Sequence, residues 1–191
     1  MKLVFATNNL NKLSEIRALV SSDIEILSLK DISCNEDLPE TNPTLHQNAL
    51  QKARYIFENY GFNCFADDTG LEIDALSGKP GVYSARYAGP ECSAEANMHK
   101  VLYKLCGNKI RSANFTTVIA LIINGNENLF EGECKGNISK SNRGKDGFGY
   151  DPIFIPNGFQ KTFAEMTMHQ KVIISHRGKA VVKFIEFLSK N

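Results

Sequence analysis

The chain has 191 residues, of which 42% are hydrophobic, enough for a substantial core in one domain over residues 1–191. A formal net charge of +1 excludes a general field for holding nucleic acid or an anionic membrane. The five cysteines are odd in number and contain no C-x-x-C pair, and no apolar run approaches the roughly 18 residues of a membrane span. We therefore expect a soluble, cytoplasmic protein that binds any anion locally.

The first predicted unit is a central strand at residues 3–6, followed by helical periodicity from Leu10 to Val20. The junction reads Thr7-Asn8-Asn9-Leu10-Asn11-Lys12, without the glycines of a Walker or Rossmann loop. A helix start offers backbone N–H groups and the positive end of a dipole, so this junction resembles a phosphate site. Simple capping by Asn8 or Asn9 is the alternative, but it leaves Lys12 unexplained because cations are disfavoured there.

A second strand is predicted at residues 24–27, and the polar segment 28–43 that follows contains Glu40. Residues 44–47 form a capping box that begins a helix ending at Gly61. We expect Lys52 and Arg54 on the solvated face of this helix and His46 on the surface.

The apolar residues 62–66 predict a buried strand that ends in a turn at Asp67-Asp68, with Gly70 beyond it. Side chains alternate along a strand, so the two carboxylates should point in different directions. Aspartate and glycine are ordinary turn residues, and a solvated turn is one interpretation. The other is a Mg²⁺ site, because Mg²⁺ is commonly held between one or two carboxylates and substrate phosphates.

The second half of the chain predicts an ordered connection at 78–90, a helix from Ala94 that ends before Gly107, and a hairpin of strands 114–123 and 129–138. The hairpin is antiparallel, so a sheet that begins with strand–helix–strand units becomes mixed.

The glycine-rich segment 143–151 carries Phe148, Tyr150 and Asp151, which could hold a flat ligand such as a nucleobase. Lys171, His176 and Arg177 are polar donors that precede a final amphipathic helix, which is expected to begin after Gly178.

Four motifs occur in order over nearly the whole chain: Thr7-x-Asn9-x-x-Lys12, the segment 66–71 with 80–87, Gly147-Phe148-Gly149-Tyr150-Asp151-Pro152, and Lys171 with Ser175-His176-Arg177. Together they closely resemble the inosine triphosphate pyrophosphatase family, whose members hydrolyse noncanonical purine nucleoside triphosphates such as ITP, dITP and XTP. The resemblance implies an α/β fold with an elongated central mixed β-sheet flanked by helices, two lobes around a nucleotide-binding cleft, and a homodimer.

The resemblance also implies roles for individual residues. Asp68 would act as general base and bind Mg²⁺, and Glu40 would supply a second carboxylate to the metal. The triphosphate would be held by the first loop, namely Thr7, Asn8, Asn9, Leu10, Asn11 and Lys12. Thr69 would contact the substrate, and the base pocket would be lined by Phe148, Gly149, Tyr150, Asp151, Lys171, His176 and Arg177.

One position departs from the family pattern, because Gln47 stands where an acid is usual, and this puts one outer carboxylate near the metal in doubt. Two other functions remain open. A pyrophosphatase for modified pyrimidine triphosphates would share the cleft, and a non-catalytic nucleotide sensor would share the binding loops but would not require Asp68 and Glu40.

Overall fold

The computed structural model describes residues 1–21 and 23–190. Within that part of the chain the strands are β1 Lys2–Phe5, β2 Glu25–Leu27, β3 Cys64–Ile73, β4 Lys79–Gly81, β5 Ser112–Ile123, β6 Asn126–Ile138 and β7 Phe154–Pro156. They form one sheet in the order β2-β1-β3-β5-β6-β7, with β4 paired to β3.

The helices are α1 Leu10–Arg17, α2 Leu45–Tyr60, α3 Ala94–Lys104, α4 Met168–Ile174 and α5 His176–Leu188. Short 3-10 segments lie at Lys30–Ile32, Asp74–Leu76, Asp151–Ile153 and Phe163–Glu165. β1 pairs in parallel with β2 and β3, whereas β3–β4 and β6–β7 are antiparallel. The predicted α/β fold with a mixed sheet is confirmed. Among the described residues, no helix combines the length and apolar character needed to cross a bilayer.

The interior strand β1 is buried on both faces, as expected of a parallel strand covered by helices. Leu3 and Phe5 pack in a cluster with residues of α1 and α5, whereas Val4 and Ala6 pack in a second cluster with residues of α2. The rings of Phe5 and Phe65 stack across the β1–β3 pair with centroids 4.5 Å apart. Alternation along the strand therefore decides which helix each side chain meets.

Two compact units can be distinguished. The first comprises Met1–Asp68, Thr117–Glu131 and the chain from Ala180 on, and it contains the two clusters just described. The second comprises Thr69–Thr116 and Gly132–Lys179. Its core is a single cluster of buried apolar side chains that includes Leu71, Val101, Phe115, Phe154 and Phe163.

Two predicted boundaries are wrong. The turn expected at Asp67-Asp68 does not form, because β3 continues to Ile73, where its last residues pair with the short strand β4. α4 was not predicted, and the final helix begins at His176 itself rather than after it. Gly178 permits the close approach of α4 and α5, because a Cβ at this position would collide with the carbonyl oxygen of Val172.

Candidate active site

Strand β3 carries Asp67 and Asp68 at the carboxyl end of its parallel pairing with β1. Asp67 shares a face with Phe65, which packs in the cluster with α1, and Asp68 shares a face with Ala66, which packs in the cluster with α2. Both aspartates are buried, with 1% and 7% of their surface exposed. The prediction that they point in different directions is confirmed: Asp67 bonds to a lysine of α1 and Asp68 approaches a lysine of α2.

On the α1 side, Lys12 Nζ donates to Asp67 Oδ1 at 2.9 Å. Asn9 is the N-cap of α1, and its side-chain oxygen accepts from the backbone N–H groups of Asn11 and Lys12. The capping role weighed for Asn9 is thus present in the structure, and the cation that capping alone left unexplained has a buried carboxylate as its partner. The rest of this loop is accessible, with Leu10 77% exposed.

On the α2 side, Lys52 is buried, and the prediction that it faces solvent is wrong. Its Nζ donates to Glu40 Oε1 at 2.5 Å and to the backbone oxygen of Asp67 at 2.7 Å, and lies 3.8 Å from Asp68 Oδ1. Spacing could have revealed this, since Lys52 follows Ala49 by three positions and therefore lies on the apolar face of the helix. Arg54 is exposed as predicted and pairs with Glu127.

We call Lys12, Glu40, Lys52, Asp67 and Asp68 the carboxylate cluster. Burial raises the pKa of Asp68, and repulsion from Glu40 and Asp67 adds to the increase, while Lys52 and Lys12 oppose it. For Lys52, burial alone would lower the pKa, but the carboxylates of Asp68, Glu40 and Asp67 outweigh that cost and raise it. The ammonium of Lys52 therefore stays charged while Asp68 is a stronger base than an exposed aspartate.

The donor set of this cluster fits a hard divalent cation. Carboxylate oxygens of Glu40 and Asp68 lie 2.5 and 3.8 Å from Lys52 Nζ, so the two acids are close to each other. Within residues 1–21 and 23–190, no group of three or more acidic, histidine or cysteine side chains is arranged to hold a metal. Two carboxylates suit Mg²⁺ that completes its coordination with water and phosphate oxygens.

Gln47 belongs to the start of α2, where its backbone N–H is capped by Thr44 and its Oε1 accepts from Thr44 Oγ1 at 3.0 Å. The position is exposed. In this structure, therefore, Gln47 serves the helix cap, while Glu40 and Asp68 are the acids that meet at Lys52.

In the second unit, Asp151 organises the glycine-rich loop. Its Oδ2 accepts from the backbone N–H of Phe148 and from Lys171 Nζ, both at 2.8 Å. Gly147, at φ +76, allows this carboxylate to approach, because a Cβ there would collide with Asp151 Oδ2. Lys171 Nζ also lies 4.8 Å from the centre of the Phe148 ring. The loop, α4 and one buried ion pair thus hold the phenyl ring in place.

The start of α5 supplies the remaining donors. Arg177 is 3% exposed, its guanidinium lies 5.4 Å from the Phe148 ring, and its Nη2 donates to Thr69 Oγ1 at 3.3 Å. His176 is 4% exposed and stacks on Phe115 with ring centroids 4.4 Å apart. We call Phe148, Asp151, Lys171, His176 and Arg177 the aromatic cluster.

Tyr150 and Gly149 lie beside this cluster in a different way. The side chain of Tyr150 is buried in the core of the second unit, and its hydroxyl donates to the backbone oxygen of Ser84 at 2.8 Å. Burial raises the pKa of this phenol, so it stays protonated. Gly149 has φ +64, a left-handed conformation that favours glycine. The structure thus brings Thr69 together with Phe148, Asp151, Lys171 and Arg177, while the Tyr150 side chain supports the loop from within.

Comparison with known proteins gives a consistent result. Residues 3–187 match the model of the Ham1 family. A protein of Christiangramia forsetii named dITP/XTP pyrophosphatase is 57% identical over 190 residues, covering all of both chains.

Solved structures show the same likeness. A HAM1 protein from Coxiella burnetii superposes with a TM-score of 0.92 at 38% identity and covers all of both chains. The Staphylococcus aureus Ham1 protein superposes with a TM-score of 0.91 at 36% identity, covering all of this chain and 99% of the other.

Proposed function

Because the chain belongs to the Ham1 family, we propose that it hydrolyses the noncanonical purine nucleoside triphosphates ITP, dITP and XTP to a nucleoside monophosphate and pyrophosphate. The observation that carries the proposal is the convergence of Glu40 and Asp68 on the buried ammonium of Lys52. A buried, basic carboxylate next to a fixed cation suits activation of water beside a highly charged phosphate chain. The name of the 57% identical relative supports dITP and XTP among these substrates.

In this proposal the carboxylate cluster binds the triphosphate and catalyses its hydrolysis. Glu40 and Asp68 would hold Mg²⁺, which would neutralise charge on the phosphate oxygens. Asp68 accepts the proton of the attacking water as general base. Lys52 keeps its charge beside Asp68 and fixes the carboxylates, and Lys12 with the start of α1 adds positive potential for phosphate.

The aromatic cluster is assigned to the base. Lysine and arginine side chains only donate hydrogen bonds, so Lys171 and Arg177 suit the 6-oxo group of hypoxanthine or xanthine and would leave a donor facing the amino group of adenine. Each buried donor left without an acceptor costs about 1–3 kcal/mol. Phe148 contributes a ring face for stacking, which adds affinity with little selectivity.

Two further proposals concern assembly and location. The homodimer rests on the family resemblance alone, and a monomer in sedimentation at micromolar concentration would contradict it. The cytoplasmic location rests on the five cysteines, which are odd in number and free, as suits a reducing compartment.

The proposed activity is tested by pyrophosphate release from purified protein with dITP, ITP and XTP beside ATP, GTP and a modified pyrimidine triphosphate, each with and without Mg²⁺. We expect Mg²⁺-dependent turnover of the first three and much slower turnover of the others. Preference for the pyrimidine would favour the alternative pyrophosphatase, and binding without turnover would favour a nucleotide sensor.

A further inference from the structure

Glu40 lies in the segment that connects the 3-10 turn Lys30–Ile32 to α2. A carboxylate in such a segment binds a metal weakly if the chain must be ordered first, because fixing each backbone residue costs about 1–2 kcal/mol. The side chain of Glu40 is held by Lys52 of α2. What holds the backbone next to Glu40 is therefore relevant to the metal site.

The two residues after Glu40 are tied to α2 by side-chain amides. Gln51 Oε1 accepts from the backbone N–H of Thr41 at 3.1 Å and from Asn42 Nδ2 at 2.7 Å, and Gln51 Nε2 donates to Thr41 Oγ1 at 2.9 Å. Asn48 Oδ1 accepts from the backbone N–H of Asn42 at 2.8 Å. Four hydrogen bonds thus fix two consecutive residues.

These bonds are separate from the cap of α2. The helix start is closed by Thr44, whose side chain accepts from the backbone N–H of Gln47. Asn48, Gln51 and Lys52 lie within about one turn of each other, so one rigid stretch of helix holds the backbone after Glu40 and the Glu40 carboxylate as well. Helix formation alone would not require Gln51 to bond outside the helix.

We propose that Gln51, supported by Asn48, is a positioning residue that fixes Glu40 for metal binding. The proposal rests on the proposed function, in which Glu40 is a ligand of Mg²⁺. Outer residues that orient a metal ligand typically change metal affinity by 10–100-fold when they are removed. Gln51→Leu removes all three of its hydrogen bonds while it retains a good helix former.

The first measurement is amide hydrogen exchange at Thr41 and Asn42 without metal or nucleotide. We expect slow exchange in the natural protein and at least tenfold faster exchange at Thr41 in Gln51→Leu. Gln51→Glu keeps an oxygen acceptor and should restore most of the protection. Asn59→Leu, an exposed position two turns further along α2, is the matched control and should leave both amides unchanged. Equal exchange in Gln51→Leu and the natural protein would overturn the proposal.

The second measurement is calorimetric affinity for Mg²⁺ in the presence of an inosine triphosphate analogue whose α,β bridge cannot be hydrolysed. We expect about tenfold weaker Mg²⁺ binding in Gln51→Leu, with the Asn59→Leu control unchanged. Unchanged Mg²⁺ affinity in Gln51→Leu would contradict the positioning role. Glu40→Gln separates the two ideas: if it leaves Mg²⁺ affinity intact, the metal role of Glu40 in the proposed function fails, whatever the exchange data show for Gln51.

Discussion

The carboxylate cluster and the aromatic cluster use the same element, a buried lysine bonded to an acidic side chain, but with opposite surplus charge. Lys52 contacts both Glu40 and Asp68, so acids surround one ammonium. Lys171 has Asp151 as its carboxylate partner and shares the Phe148 ring with Arg177, so this cluster holds two cations and one acid. In the proposed function this surplus suits a metal ion at the first cluster and carbonyl oxygens at the second.

The two clusters also differ in how they are held. Lys52 and Asp68 project from a long helix and a central strand. Phe148 lies in a loop that Asp151 closes through the backbone N–H of Phe148. Lys52 and Asp68 are thus placed by regular elements, whereas Phe148 is placed by a loop that the Lys171–Asp151 ion pair and the buried Tyr150 side chain support.

The largest expected effect is a loss of turnover on substitution of Asp68, the proposed general base of the carboxylate cluster. Asp68→Asn should lower kcat about 10²- to 10⁴-fold, because the amide cannot accept a proton from water. Pyrophosphate release from ITP measures the loss, and circular dichroism should show a folded protein. Near-normal turnover at neutral pH would remove Asp68 as the general base.

The next largest effect is a loss of stability on substitution of Lys52, the lysine that Glu40 and Asp68 contact. Lys52→Met should destabilise the protein by about 3–5 kcal/mol, because buried carboxylates lose their counterion. Urea unfolding measures the change. Arg54→Met on the same helix is the control and should cost about 0–1 kcal/mol, since its pair with Glu127 is exposed. Equal effects of the two substitutions would mean that burial of Lys52 does not matter.

A smaller effect is expected in the aromatic cluster. Arg177→Ala should narrow the ratio of kcat/KM for ITP over ATP by about 5- to 150-fold, the equivalent of a 1–3 kcal/mol mismatch at adenine. Phe148→Ala should lower both values and leave the ratio close to its original one, because stacking does not distinguish the purines. If Phe148→Ala narrowed the ratio and Arg177→Ala left it unchanged, discrimination would belong to Phe148 and general affinity to Arg177.

The smallest effect concerns stability and pH in metal-free protein. Because burial raises the pKa of Asp68, ionisation of this group weakens the folded state as pH rises above the usual range of an aspartate. Asp68→Asn cannot ionise, so its melting temperature should exceed that of the natural protein more at pH 8 than at pH 4.5. A difference that grows on acidification would show that attraction to Lys52, rather than burial, dominates at Asp68.

Much of the molecule was predictable from local patterns. Apolar periodicity identified β1, α2, α3 and the β5–β6 hairpin, because each buries one face or one run of side chains that the chain itself displays. The four motifs identified the family, since they occur in order over nearly the whole chain. That the chain forms a single domain, that Mg²⁺ binds and that the named residues contact substrate remain predictions.

Tertiary structure alone decided the rest. Strand β3 continues through Asp67-Asp68, where turn-forming residues suggested an end, and its last residues, 71–73, pair with β4, which satisfies backbone groups there. Lys52 is a charged residue, yet it is buried, because Glu40 from one segment and Asp67 and Asp68 from strand β3 supply three nearby carboxylates. The hydrogen bonds of Gln51 with Thr41 and Asn42 can be identified only from the folded structure. Local sequence determines whether a segment forms a helix or a strand. The partners of a buried charge or amide come from other segments of the chain, and only the fold brings them together.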